Sequence, residues 1–506
     1  MRTRYALAPV LGFALSLAFE PAALFWIMIP ALAGFFALLR GRSVRQGALL
    51  GLLFGGCFIF ANIYWMRAVA DAAWIGLAGV QALYLTGAGA ALAVVSRWRL
   101  WPLWMGLVWV GIEVARGSFP WSGFTWGRLS FAVVDTPYAA LLPWIGSNGV
   151  SLLLATGCAL LVWCVESRAR VRPVGLTLAA LAVATLVPSL VGPQWGNGST
   201  ARVAVVQGDV PGDGTDVAAY HRTVTADHVA LTKQLGAEIA AGSVARPDFV
   251  VWPENSTAID PFVDEETRTG IERAVTALGT PLLVGAMVDH ADDDKVLNQG
   301  VVFDPVTGDG DRYTKRHPVP FGEYIPLRSW IPEGTNIGRL AEIPRDMVAG
   351  TNKDPLRIGE LDVVDAICFD VSYDDVFVDQ VRRGGELVVV QTSNAMFIHT
   401  SQIDQQFAIS RLRALETGRA VVVAAINGRS GVIGPDGEVI ADIAPRTAGV
   451  IQAEVQLASG TPLGLYVGPW LGRLSVLVLV AAVAVGMLSY RRQRQNREEG
   501  LELDRR

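Results

Sequence analysis

Val364-Asp365-Ala366-Ile367-Cys368-Phe369-Asp370 carries an apolar run straight into a cysteine, and two other stretches of the chain end the same way. Val250-Val251-Trp252-Pro253 runs into Glu254, and Tyr313-Thr314 runs into Lys315. A polar residue closing a buried strand is where α/β folds usually present their chemistry. Around these three ends, short β-branched runs fall at 202–207, 249–252, 281–288, 300–303, 363–368, 387–391, 420–425, 431–433 and 450–454. Amphipathic helices fit 218–241, 264–278, 374–383 and 402–418. The apolar period changes from 2 to 3.6 residues between the two sets, which predicts an α/β domain. Its strands are apolar on both faces, so its sheets should be covered on both sides. Pro435-Asp436-Gly437 is a hairpin turn signal between two late strands. The domain is expected to span 196–468.

The flanks are a different material. The chain is 51% hydrophobic with a mean hydropathy of +0.37, too apolar for an ordinary soluble enzyme. Residues 1–195 are dense in Leu, Ala, Val, Phe and Trp, and 471–490 are apolar again. A membrane-spanning helix needs about 20 mostly apolar residues, and about eight stretches qualify. They lie near 5–19, 22–40, 47–66, 74–95, 101–116, 148–166, 174–192 and 471–490. This predicts a bundle of about seven helices over 1–195 and a last span over 469–490. A basic cytoplasmic tail would follow at 491–506.

Cytoplasmic loops carry excess Lys and Arg. Arg2 and Arg4 precede the first span, Arg40, Arg42 and Arg45 follow the second, Arg97 and Arg99 the fourth, and Arg168, Arg170 and Arg172 the sixth. Arg491, Arg492, Arg494 and Arg497 follow the last. Every second loop is basic, which places the α/β domain outside. Gly51 and Gly55 form a GxxxG that reads as helix packing. No clear charged pair is expected within the spans. Between the fifth and sixth spans, Phe119-Pro120-Trp121, Trp126, Arg128 and Trp144 read as an interfacial aromatic belt, or as a lipid-facing gate.

A net charge of −5 makes no case for nucleic acid. No Walker loop, HExxH, CxxC pair or solenoid repeat is present. Of four cysteines, Cys57, Cys158 and Cys164 lie in apolar stretches, so Cys368 has no disulfide partner in its own domain. His221, His228, His290 and His399 show no ligand spacing, and Asp292-Asp293-Asp294 reads as a solvated turn. No metal and no cofactor are expected. Taken singly, Glu254 is a helix cap, Lys315 a solvated charge and Cys368 core filler. Their occurrence together, each in a specific context, argues otherwise.

That context resembles the nitrilase superfamily, whose members set a Cys–Glu–Lys triad on an αββα sandwich. The matching stretches are Val250 to Asn255, Tyr313 to His317 with Phe321-Gly322-Glu323-Tyr324-Ile325-Pro326, and Ala366 to Asp370. Gln405-Gln406-Phe407 to Glu416 and Gly434 to Gly437 are similar too. One branch of the superfamily joins such a domain to a membrane bundle, the apolipoprotein N-acyltransferases, and the resemblance to it covers nearly the whole chain. Asp370 stands where that branch often has Glu. Gln207-Gly208-Asp209-Val210-Pro211 matches its Gln-Gly-Asn-Ile-Pro, without the Trp usual just beyond.

The resemblance implies that a phospholipid acyl chain is passed, through a thioester on Cys368, to a diacylglyceryl-modified apolipoprotein. Glu254 would be general base, Lys315 would hold the oxyanion with the Phe369 N–H, and Glu323 and Asp370 would orient Lys315 or Glu254 or hold the amine. Trp121, Trp126 and Trp252 would face substrate or lipid. The enzyme would work as a monomer in the bacterial cytoplasmic membrane. His317 is a rival base for Cys368. A membrane-tethered amidase would use the same triad on a small amide, and phospholipid acylation of Cys368 would tell the two apart. A non-catalytic scaffold or transporter is opposed by the intact triad.

Overall fold

The computed structural model describes residues 2–166, 195–330 and 343–503. The chain divides into two compact units. One is Met1–Tyr64, Ala73–Gly192 and Tyr466–Arg506, and the other is Trp65–Ala72 with Pro193–Leu465.

The first unit is helical. Its described helices are α1 Arg2–Ser16, α2 Met28–Leu39, α3 Val44–Asn62, α4 Asp71–Val95, α5 Trp101–Arg116, α6 Leu142–Glu166 and the long α11, Gly464–Leu503. Among the described residues, four helical stretches are long and apolar enough to cross a membrane: Val44–Asn62, Asp71–Val95, Pro137–Glu166 and Gly464–Ser489. Phe25–Leu39 is a shorter apolar helix. The span expected near 174–192 lies outside the described residues. A capping box starts α3, with the Gln46 N–H donating to Ser43 Oγ and the Ser43 N–H to Gln46 Oε1.

Small residues bring α3 and α4 together. A Cβ on Gly51 would sit 2.3 Å from the Leu85 carbonyl oxygen, and one on Gly89 2.2 Å from that of Gly47. Gly55 meets the Leu85 side chain, so the GxxxG is indeed a packing face. The expectation concerned charged pairs, and on α5 two single charges, Glu113 and Arg116, are both buried. Their reason is the irregular chain that follows. Arg116 Nη1 donates to the Phe124 and Trp126 carbonyls at 3.1 and 2.6 Å. Glu113 Oε1 accepts the Leu129 N–H and Trp109 Nε1–H, each at 2.9 Å. Non-helical backbone has no lipid or water to bond here, so buried charges serve it.

The second unit is a sandwich of two sheets. Its elements are β1 Gly196–Gln207, α7 His221–Ala240, β2 Phe249–Val251, α8 Glu265–Leu278, β3 Leu282–Asp289, β4 Lys295–Asp304, β5 Gly308–Thr314, β6 Asp346–Met347, β7 Leu356–Ile358, β8 Leu361–Ile367, α9 Asp374–Val381, β9 Leu387–Thr392, α10 Gln402–Thr417, β10 Val421–Ala425, β11 Ser430–Ile433, β12 Val439–Ile443 and β13 Gly449–Ala458. One sheet runs β13-β1-β2-β3-β4-β5, with β6 paired to β4, and the other runs β12-β11-β10-β9-β8-β7. Val203, Val205, Phe249, Val251, Val363, Ile367, Leu387 and Val389 pack between the sheets. Leu235, Ile271, Ala274 and Leu278 cover the outer face of the first sheet. Helices α9 and α10 lie against β8 and β10 of the second, giving α-β-β-α layers.

Segment Trp65–Ala72 counts with this unit although it lies between α3 and α4. Trp65 Nε1 donates to Gln405 Oε1 at 2.9 Å, and its ring stands edge-on to Phe397 at 5.3 Å.

We expect Gly89→Leu to lose stability by about 1–3 kcal/mol, because the added side chain must push α3 from α4. Thermal unfolding in detergent would read it, and an unchanged midpoint would mean the helices can part freely.

Candidate active site

On the inner faces of the sandwich, apolar side chains give way to polar ones toward the ends of β4, β5, β8 and β9. Val302 gives way to Gly300 and Asn298, Tyr313 to Lys315, Val363 to Asp365, and Val389 to Gln391. Glycine makes the space. A Cβ on Gly285 of β3 would lie 2.2 Å from the Pro253 carbonyl oxygen and 2.6 Å from the Glu254 Cα. Gly285 and Gly300 are partners in the β3–β4 register, so two adjacent strands lack side chains on one face. The chain after β2 passes through that gap and delivers Glu254.

Glu254 is buried, as is Lys315. Lys315 Nζ lies 3.1 Å from Glu254 Oε1 and 2.6 Å from Glu323 Oε1. Glu254 Oε1 also accepts from Asn298 Nδ2 at 2.7 Å, and its Oε2 from the Ser393 N–H at 2.9 Å. Glu323 is held in turn by the Val319 N–H, 2.9 Å from its Oε2. Burial works against the Lys315 ammonium, but Glu254, Glu323 and Cys368 outweigh it and hold its pKa well above the usual range. Burial pushes the Glu323 carboxyl up, with the Glu254 charge adding and Lys315 opposing.

Cys368 follows β8 at φ 52°, the left-handed region, which costs a non-glycine residue roughly 1–3 kcal/mol. Such strain is found at sites where the surrounding structure holds a side chain in place. Burial pushes the Cys368 thiol up to about 12, and the Glu254 and Glu323 charges add to that while Lys315 and a hydrogen bond with Thr392 oppose it. The thiol is therefore protonated at neutral pH and needs a base to attack anything. Gln406 Nε2 donates to the Cys368 carbonyl at 3.1 Å.

The other expected residues divide. Asp370 bonds the backbone and Tyr313, where the expectation was that it orients Lys315 or Glu254 or holds the amine. Its Oδ2 accepts from Tyr313 Oη at 2.9 Å and from the Arg316 N–H at 3.2 Å, and its Oδ1 from the His317 N–H at 2.9 Å. It ties the cysteine turn to the segment that carries Lys315. Phe369 is buried edge-on to Tyr373, at 5.1 Å between centroids. Trp252 does not face substrate. It is fully buried on the helix side of its sheet, where its Nε1 donates to Thr232 Oγ1 at 2.8 Å. Its alternation against Val251 would have said so. Trp126 is also buried, beside Phe124 in the helical unit, whereas Trp121 is 42% exposed. His317 stacks on Tyr373 at 3.8 Å and its Nε2 lies 3.1 Å from Asp375, so its ring is already engaged. Asp209 pairs with Arg446 at 2.9 Å, which compensates for the acid where the motif usually has an amide. Asn298, Thr392, Ser393 and the two glycines went unseen in the sequence, because their part depends on which strands become neighbours.

Two family models match the chain. The apolipoprotein N-acyltransferase N-terminal domain covers residues 11–160, and carbon-nitrogen hydrolase covers residues 202–463. The apolipoprotein N-acyltransferase of Mycolicibacterium smegmatis is 31% identical over 94% of this chain and 84% of its own length. The chain belongs to the apolipoprotein N-acyltransferase family. The enzyme of that name from Ralstonia nicotianae is also 31% identical, over 96% of this chain and 94% of its own. Membership makes the chain a membrane acyltransferase of lipoprotein biosynthesis, and makes the site around Cys368 the place to look for its chemistry.

Two outcomes are expected of the buried charges. Thiolate absorbance, taken as a difference from Cys368→Ser, should rise only at strongly alkaline pH in the parent, at lower pH in Glu254→Gln and at higher pH in Lys315→Met. A parent thiolate signal at neutral pH would contradict the electrostatics described. Lys315→Met should also cost roughly 3–5 kcal/mol in unfolding experiments, because it strands the buried Glu254 carboxylate beside half-buried Glu323.

Proposed function

We propose that this enzyme takes an acyl chain from a phospholipid and delivers it to the N-terminal amine of a diacylglyceryl-modified apolipoprotein, through a thioester on Cys368. The observation that carries the proposal is a protonated thiol on a strained turn, within the field of a buried carboxylate that a lysine already holds.

Glu254 takes the Cys368 proton as Sγ attacks the acyl carbonyl carbon. Lys315 Nζ and the Phe369 N–H stabilise the oxyanion. The carbon–oxygen bond to the glycerol breaks, Glu254 returns the proton to the departing alkoxide, and a lysophospholipid leaves. The apolipoprotein's amine then attacks the thioester and gives its proton to Glu254. The carbon–sulfur bond breaks and the thiolate recovers the proton, leaving an amide. Glu323 keeps Lys315 in place through both halves, and Asp370 keeps the cysteine turn in register with it.

Both substrates are lipid-anchored. Extracting an acyl chain into water costs about 0.8 kcal/mol per methylene, and a catalytic domain fixed to the bilayer avoids most of that. We therefore read eight spans, a cytoplasmic N-terminus, and an α/β domain on the outer face of the bacterial cytoplasmic membrane. The bundle is 1–195, the catalytic domain 196–468, the last span 469–490 and the basic tail 491–506. The alternation of basic loops supports that orientation. We read the enzyme as a monomer.

Purified protein in detergent, given phospholipid with a labelled acyl chain, should carry a hydroxylamine-labile label on Cys368. A diacylglyceryl-cysteine peptide should discharge it. Cys368→Ser should stay unlabelled, and Glu254→Gln should label at least about 100-fold more slowly, the usual contribution of a general base. A folded parent protein without adduct would overturn the phospholipid donor and favour hydrolysis of a small amide.

A further inference from the structure

Behind the triad, between the sheets, the buried oxygens that lack a well-formed hydrogen bond among the described residues include both carboxyl oxygens of Asp365, which only the Ala366 N–H approaches, and Oε1 of Gln391. Asp365 lies on β8 between Val363 and Ile367, which belong to the apolar core, so it points into that core. Gln391 lies on the neighbouring strand β9, in line with Leu387 and Val389 on the same face. The oxygens of the two side chains crowd the same spot. A Cβ on Gly300 would come 2.3 Å from Asp365 Oδ2 and 2.6 Å from Gln391 Oε1.

The Gln391 amide cannot turn round to help. Its Nε2 donates to the Trp252 carbonyl at 2.6 Å, and a flip would set oxygen against oxygen there. Gln391 therefore offers Asp365 an acceptor, and an ionised Asp365 is itself only an acceptor. Leaving such groups buried and unpaired is costly, and one proton on Asp365 resolves the conflict.

We propose that Asp365 is a neutral carboxylic acid whose hydroxyl donates to Gln391 Oε1, which makes it a positioning residue for the triad. Gln391 grips the carbonyl two residues before Glu254. Next come Thr392, the last residue of β9, which bonds the Cys368 thiol, and Ser393 just beyond it, whose N–H bonds Glu254. Asp365 itself lies on β8, three residues before Cys368, which follows that strand. One proton thus locks the strands that carry nucleophile and base against each other.

Burial, reinforced by the charge of Asp370, holds the Asp365 carboxyl well above its usual range. The titratable groups facing it are Asp370 and Tyr313, while β4 and β9 present Gly300 and Gln391. The sign of the linkage follows. A carboxyl raised in the folded state supports the fold fully below its unfolded pKa, and that support is lost as pH rises through the folded value. Asp365→Asn keeps a donor for Gln391 Oε1 and has no proton to lose.

The inference rests on the acyl-transfer reading of Cys368, and its test separates the two. Infrared difference spectra of full-length protein in detergent, parent minus Asp365→Asn, should show the carbonyl band of a protonated carboxylic acid at pH 7. No substrate is involved, so failure of the acyl-transfer reading would leave this result standing. In the labelling assay, Asp365→Leu should acylate about tenfold more slowly or worse, at unchanged half-saturating phospholipid, equivalent to one misplaced hydrogen bond. Asp365→Asn should restore most of the rate, and its melting temperature should exceed the parent's by a margin that widens with pH. Absence of the acid band overturns the proposal. So does an Asp365→Asn enzyme as slow as Asp365→Leu, or an Asp365→Leu enzyme as fast as the parent.

Discussion

One ammonium group, Lys315 Nζ, is held between the Glu254 and Glu323 carboxylates, with Lys315 and Glu254 withdrawn from bulk water and Glu323 half-buried. Isolated burial of any one of them would be prohibitive. Together they are tolerable only if each remaining lone pair finds a donor, and the surrounding chain is arranged to supply them. The Ser393 and Val319 N–H groups and the Asn298 amide do this work for the acids. Much of the unit's irregular backbone can be understood as the means of bringing those donors in.

The same electrostatics explain why the proposed nucleophile, Cys368, is quiet at rest. With two acids and one base near it, the thiol keeps its proton until a reacting carbonyl arrives. The thioester route proposed above would benefit from such reticence, since a permanently ionised thiol would be open to oxidation and stray alkylation. In that proposed route acylation depends on Glu254 accepting a proton at the moment of attack, so its alignment matters more than the resting charge of sulfur.

Most of the α/β fold was legible because its central strands are continuous apolar runs and its helices keep a clean 3.6-residue period. The strands missed are those for which burial leaves no signature. β5 reads Gly-Asp-Gly-Asp-Arg-Tyr-Thr and lies at a sheet edge, β12 is another edge strand, and β6 and β7 have only 2 and 3 residues. At the site, Glu254, Lys315 and Cys368 announced themselves by ending strands. Glu323 came only with the family resemblance, and the structure sets it against Lys315. Asp370 was read as an adjunct of the triad and proves to be a tie between two backbone segments. Trp252 follows inward-facing Val251, so strand alternation turns it to the helix side of its sheet. Glu113 and Arg116 escaped notice because each, alone in an apolar helix, looks like a boundary residue.

The assignment of Trp65–Ala72 to the α/β unit has a consequence for how the chain must be made. Trp65 meets Gln405 across 340 residues of sequence. During synthesis, at about 5–20 residues per second, the indole waits on the order of tens of seconds before its partner exists. The α/β unit is thus assembled from two separate runs of the polypeptide, an early short one and a late long one. A gene fragment covering only the late run would leave Gln405 and the face of Phe397 without the tryptophan that covers them in the intact chain.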